Sequence, residues 1–113
     1  MKRRFIESNG LAILLSVSIL SSCSSAPEKT GPMSHIVEIR AMQFQPAEIR
    51  VNKGDTVIFI NRDMVVHDVT EEQSKKWASQ PLSTDQSFSM IASQSSNYYC
   101  TIHPVMKGQV IVE

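Results

Sequence analysis

Cysteine is scarce in this chain, with only Cys23 and Cys100 among 113 residues. No framework of several disulfides can hold the fold together. A long hydrophobic run is missing as well. Leu11 to Leu20 (LAILLSVSIL) is ten residues, roughly 15 Å as a helix and about half a bilayer core, which is too short for a membrane span. Excess charge of either sign is absent, since 11 Lys and Arg face 11 Asp and Glu. Without a basic stripe, nucleic acid is not an expected partner. The length leaves little room for a dinucleotide-binding domain or a substrate cleft. A small sensor, binder or electron carrier remains.

What is present begins with a leader. Lys2, Arg3 and Arg4 precede the apolar run, and Ser21-Ser22-Cys23 follows it. That is the charged, apolar, small-residue order of a secretory signal. Leu20-Ser21-Ser22-Cys23 resembles the lipobox of bacterial lipoproteins, with Ser22 where Gly or Ala is usual. The resemblance implies cleavage after Ser22 and lipidation of Cys23. Removing residues 1–22 takes away Lys2, Arg3, Arg4 and Glu7 and leaves 91 residues, with 8 basic and 10 acidic side chains. Residues 24–34 (SSAPEKTGPMS) are rich in Ser, Pro and Gly without an apolar period, as in a flexible tether. The expected organisation is a signal over 1–22, a lipidated tether over 23–34 and one domain over 35–113, exported to the periplasmic side of a bacterial membrane. A Cys23–Cys100 disulfide is the plainer reading of two exported cysteines. Against it, Cys23 would begin a loose leader.

The domain reads as strands. Val37, Ile39 and Ala41 alternate with Glu38 and Arg40, the pattern of a half-buried strand. The phase slips at Met42 and Phe44, which a bulge or bend near Ala41-Met42 would produce. Pro46 interrupts, and residues 48–51 resume. Asn52-Lys53-Gly54-Asp55 is a turn with Gly at a positive-φ position. Thr56 to Ile60 (TVIFI) suits a central strand covered on both faces. Strands are also expected over 67–70, 87–91, 97–100 and 109–113, with one or two helical turns around Trp77. Seven to eight short strands without a long helical period predict an all-β Greek-key sandwich.

The informative segment is Cys100-Thr101-Ile102-His103-Pro104-Val105-Met106-Lys107-Gly108. Thiol, imidazole and thioether stand at i, i+3 and i+6, and His67 supplies a second imidazole from another strand. A thiolate, two imidazoles and a weak thioether make up the donor set of a blue-copper electron-transfer site. Taken singly, each has a plainer reading. His67 could be a surface strand residue. Cys100 could be an inert buried thiol. Met106 could be an apolar plug, as Met33, Met42, Met64 and Met90 are expected to be. Together in a C-x₂-H-x₂-M-x-G loop at the end of a β domain, they argue for a metal.

With these residues the chain resembles the cupredoxins of the plastocyanin/azurin family, and its short ligand loop is most similar to the amicyanin type. The resemblance covers nearly all of residues 35–113. It includes Phe44-Gln45-Pro46, Gly54-Asp55-Thr56-Val57 and the spacing from Asn61 to His67. It implies a Greek-key sandwich holding one copper ion, with His67, Cys100 and His103 equatorial and Met106 axial. Asn61 and Asp68 would support the ligands. Asp68 stands where much of the family has Asn, and a carboxylate cannot donate from its side chain. Asp68 is therefore expected to lower the reduction potential, unless it turns outward to pair with Lys or Arg.

The resemblance also implies that His103 is the electron port, ringed by Pro104, Val105, Met64 and Val65. The expected protein is a monomeric electron carrier, not an enzyme. It would be tethered to the membrane through Cys23 and would meet a redox donor and a redox acceptor. The rival is a copper-binding or copper-delivery protein, which five methionines in the mature chain keep open.

Overall fold

A computed structural model describes residues 10, 12–22 and 31–113. The basic start, the expected lipidation site Cys23 and the first part of the expected tether, residues 24–30, lie outside the described residues. Residues 12–22 carry no regular structure and expose their apolar side chains. Among the described residues, no helix is long and apolar enough to cross a membrane.

The described domain contains eight strands: β1 Ser34–Arg40, β2 Gln43–Gln45, β3 Glu48–Val51, β4 Thr56–Asn61, β5 Thr70–Glu71, β6 Ser87–Ile91, β7 Ser96–Tyr99 and β8 Lys107–Val112. They form two four-stranded sheets, ordered β2-β1-β4-β6 and β3-β8-β7-β5. Parallel pairs β1–β4 and β3–β8 tie the early strands to later ones, and the remaining pairs are antiparallel. Pro46 lies where the chain leaves β2 in one sheet for β3 in the other. The all-β sandwich agrees with the strand pattern read from the sequence.

Alternation decides which side chains meet between the sheets. Val37 and Ile39 of β1, Val57 and Phe59 of β4, and Tyr98 and Val110 of β7 and β8 are all fully buried. Phe44 and Phe59 pack edge-on against Tyr98, with ring centroids 4.9 and 5.0 Å away.

Several local expectations are corrected. Ala41 and Met42 do not form a bulge. They are the two central residues of a tight hairpin between β1 and β2, with φ of 50° and 60°, as a type I′ turn requires. The slip in phase is the chain reversing, and Ala41 is exposed. β4 is buried on one face only, because Thr56, Ile58 and Ile60 are half-covered. No helical turn surrounds Trp77. The Glu71 carboxylate instead accepts the N–H groups of Gln73, Ser74 and Lys76. Burial alone would raise the Glu71 pKa, but these N–H groups and the Ser74 hydroxyl, those of Ser74 foremost, outweigh it and draw it down to about 2. Trp77 stacks its ring 6.2 Å from both Phe59 and Phe88. Met33, Met42 and Met64 are not packing residues, being 47%, 41% and 92% exposed. Met90 is half-covered and packs on the core.

One end of the sandwich gathers the 41–42 turn and the loops over 61–68, 80–86 and 100–106. The start of β1 lies at the other end, about 20 Å away at roughly 3.3 Å per strand residue. There the buried Asp55 carboxylate accepts the N–H groups of Met33 and Asn52 and bonds the His35 ring. The Met33 N–H foremost, then the His35 ring, hold the Asp55 pKa below its ordinary value.

Candidate metal centre

Cys100 directly follows β7, and Lys107 opens β8. The last ladder pairs, Tyr98↔Gly108 and Tyr99↔Lys107, form the base of the loop between them. The Cys100 N–H donates to the Met106 carbonyl at 3.1 Å, and the Met106 N–H donates to the His103 carbonyl at 2.9 Å. Two turns therefore bring residues 100, 103 and 106 together within one short loop.

His67 arrives from the facing segment. Thr70 pairs with Tyr99, so the residues just before β5 lie alongside Cys100. The expected strand over 67–70 is reduced to an isolated bridge between His67 and Leu82, followed by the two-residue β5. Asn61 fixes the preceding loop. Its amide donates to the carbonyls of Val65 and Leu82, both at 2.8 Å, and its Oδ1 accepts the Asp63 N–H.

The result is a compact donor cluster. The Cys100 Sγ lies 3.7 Å from His67 Nδ1 and 3.9 Å from His103 Nδ1. The three donor atoms lie within 4.8 Å of one another. Donors about 2.0–2.3 Å from one ion stand roughly 3.5–4 Å apart at trigonal to tetrahedral angles. Cys100 and His67 are wholly buried, Met106 is 3% exposed, and His103 is half-buried. One soft sulfur with two imidazoles suits copper, so the residues present fit that ion.

Asp68 turns inward, not outward to a Lys or Arg. Its main-chain N–H points at Cys100 Sγ, 3.4 Å away. Its carboxylate accepts the Thr101 N–H at 2.8 Å, the Thr101 hydroxyl, and the Thr70 hydroxyl at 3.4 Å. A carboxylate thus ties the two ligand-bearing loops together by accepting, with Thr101 as the donor.

Two participants escaped the sequence reading. Thr101 is one; a threonine beside a ligand cysteine carries no pattern of its own. Asp63 is the other: its Oδ2 lies 2.8 Å from His67 Nε2. No sequence signal marked it, because the need of Ala41-Met42 for an outside acceptor shows only in their positive φ. Asp63 is that acceptor, bonding the N–H groups of both residues.

The loops that carry His67 and His103 expose apolar side chains. Met64, Val65 and Val105 are 92%, 47% and 87% exposed, and Pro104 is exposed too. Val66 and Ile102, also exposed, extend the set beyond the residues named from the sequence. A shallow groove of about 390 Å³ brings Val105 and Met106 together with Met42 and Ala47.

A family model described as copper binding proteins, plastocyanin/azurin family, matches residues 32–113. Amicyanin of Paracoccus denitrificans is 33% identical over an alignment of 86 positions, and the match covers 69% of this chain and 64% of that protein. The chain thus spans somewhat less than two thirds of that relative. Amicyanin-alpha of Methylorubrum extorquens is 29% identical over 108 residues, covering 90% of this chain and 91% of its own. Among solved structures, a reduced amicyanin carrying one tryptophan-to-tyrosine substitution is similar with a TM-score of 0.65 and 31% identity. That match covers 71% of this chain and 82% of the other.

Proposed function

Since the chain belongs to the plastocyanin/azurin family of copper-binding proteins, we propose that it is a membrane-tethered blue-copper protein that carries single electrons between redox partners on the periplasmic side. His67 Nδ1, Cys100 Sγ and His103 Nδ1 would hold the ion, with the Met106 thioether as a further, weaker donor. The observation that carries this reading is the Cys100 sulfur, buried and flanked by two imidazole Nδ1 atoms.

When bound, copper supplies a one-electron couple between Cu(I) and Cu(II). The protein supplies the rest. Burial of Cys100, His67 and Met106 keeps water from the sulfur and one imidazole. The Asp68 N–H, aimed at the sulfur, disperses thiolate charge. The ligand loop is closed by the β7–β8 ladder and by its own main-chain bonds, and His67 is held by its bridge to Leu82, so the ligands resist rearrangement and little reorganisation would accompany a change of charge. His103 alone reaches the surface, inside the apolar patch of Pro104, Val105, Met64 and Val65, and is therefore the electron port. Small apolar patches suit brief encounters, because weak redox complexes bury modest area.

The far end supports the tether. Met33 is pinned by Asp55 at the end opposite His103, so a lipid at Cys23 would leave the port free to meet partners. Tethering confines a carrier near membrane-bound donors and acceptors.

Loading the protein with one equivalent of Cu(II) should produce intense visible absorption from the copper–thiolate bond and a reversible one-electron wave. Val65→Glu should slow electron exchange with a redox protein about tenfold, the equivalent of about 1.4 kcal/mol in a barrier, without altering the spectrum. An equal rate would remove Val65 from the port. Rapid loss of copper to a mild chelator, with no visible band, would favour copper delivery instead.

Asp68→Asn keeps a side chain able to bond Thr101 but removes a negative charge beside the sulfur. The reduction potential should rise, by about 59 mV if the Cu(II)/Cu(I) preference changes tenfold. Voltammetry showing an unchanged or lower potential would mean that the Thr101 and Thr70 donors already neutralise that charge.

A further inference from the structure

Neither the copper ligands nor the electron port uses Asp63, yet its carboxylate meets the buried ring of His67. A carboxylate only accepts hydrogen bonds. At 2.8 Å from Asp63 Oδ2, His67 Nε2 must therefore carry the proton. A neutral imidazole has one N–H, which leaves the Nδ1 lone pair free on the side facing Cys100 Sγ. His67 is fully buried, so water does not compete for Nε2. The half-buried His103 has no comparable carboxylate partner among the described residues.

Asp63 is itself held from four directions. Its carboxylate accepts the Ala41 N–H at 2.8 Å and the Met42 N–H at 2.9 Å. Its main-chain N–H donates to Asn61 Oδ1, and its carbonyl accepts the Thr84 hydroxyl. Burial would raise the Asp63 pKa, but the Met42 N–H, the His67 ring and the Ala41 N–H outweigh that and hold it below the ordinary value.

We propose that Asp63 is a positioning residue for the copper centre, fixing the His67 ring in the tautomer and orientation that present Nδ1 to the metal and favouring the oxidised ion by its charge. The proposal rests on His67 being a ligand. A carboxylate on the outer nitrogen raises the basicity of a ligating imidazole, and greater basicity stabilises Cu(II) more than Cu(I).

Asp63 also clasps the 41–42 hairpin, so the test must separate the two roles. Asn-Gly forms the type I′ turn unaided. In an Ala41→Asn/Met42→Gly background the hairpin no longer depends on Asp63. Asp63→Ala there retains the main-chain bonds to Asn61 and Thr84. Its melting temperature should fall only modestly, by the loss of one bond to the buried ring, while Cu(II) affinity falls about 10- to 100-fold. Cu(I) affinity should fall less, so the reduction potential rises. In the metal-free protein, ¹⁵N shifts of neutral His67 should show an Nδ1–H population that the parent lacks. Asp63→Glu, which restores the charge, should recover part of the potential. If affinity, potential and tautomer all match the background, Asp63 is a hairpin clasp only and the proposal falls. Failure of His67 as a ligand would be seen separately: the copper-loaded parent would lack its visible band, while the metal-free tautomer would still report on Asp63.

Discussion

Cys100→Ser will abolish the intense visible absorption of the copper-loaded protein and most of its copper-dependent stability, while leaving the sandwich folded. The substitution exchanges sulfur for a slightly smaller oxygen at a site that is fully buried beside Val69, Tyr98 and Met106. The hydroxyl can still accept the Asp68 N–H, so the fold itself loses only a small contact, about 1 kcal/mol. The metal loses its one anionic donor. A serine hydroxyl is not ionised at neutral pH, and two imidazoles with a thioether bind Cu(II) far more weakly. Copper at 100 times its dissociation constant stabilises the folded protein by about 2.7 kcal/mol. For a domain of this size that corresponds to a melting-temperature rise of about 10–20 °C. The parent should show that rise on adding copper, and Cys100→Ser should show little of it. Spectra and melting curves with and without copper measure both effects. A persisting band, or an unchanged copper-dependent rise, would remove Cys100 from the metal.

The reach of the sequence can be judged from how each ligand is delivered. Cys100, His103 and Met106 sit within seven residues, and the turns joining them are local, so their spacing was legible without a fold. His67 lies 33 residues earlier in the chain. It was legible because a strand was expected near 67–70, and β5 pairing with β7 does bring it to Cys100. Asp63 and Thr101 were hidden because their roles depend on individual side-chain hydrogen bonds made in the folded chain, which leave no periodicity. The Ala41–Met42 turn was misread for the same reason. Its positive φ is held by an acceptor more than 20 residues away, not by the glycine or asparagine that marks such turns. The segment after Glu71 has the polar spacing of a short helix. A buried carboxylate takes its N–H groups and Trp77 stacks on Phe59 and Phe88, and these tertiary contacts override the local preference. Asp68 was legible as an exception to the family pattern, but its direction was decided by Thr101, which only the folded register places opposite it.

Gly108→Ala will be among the most damaging single substitutions in the domain, although it adds one methyl group. Gly108 faces Tyr98 across the β7–β8 ladder, and its φ is not in the left-handed region. On backbone grounds alone, alanine should gain about 0.5–1 kcal/mol over glycine inside a strand. Packing reverses that sign. A Cβ at Gly108 would sit inside the van der Waals envelope of the Tyr98 ring at Cε2, Cζ and the hydroxyl. The ring has nowhere to go, being fully buried with Phe44 and Phe59 edge-on against it. Overpacking of this kind costs about 1–3 kcal/mol, or more where nothing can yield. Against a total stability of about 5–15 kcal/mol, a 3 kcal/mol loss would lower the melting temperature by about 12–24 °C. The damage should also reach the metal. Tyr98 lies two residues before Cys100, and the Tyr98–Gly108 pair braces the base of the ligand loop. The copper-loaded variant should therefore show a shifted or weakened visible band as well as a lower melting temperature. Tyr98→Leu in the Gly108→Ala background removes the ring and should recover much of both losses. A Gly108→Ala protein as stable as the parent would mean that β7 and β8 can slide apart cheaply, and the ladder would then not be what holds Cys100 against His67.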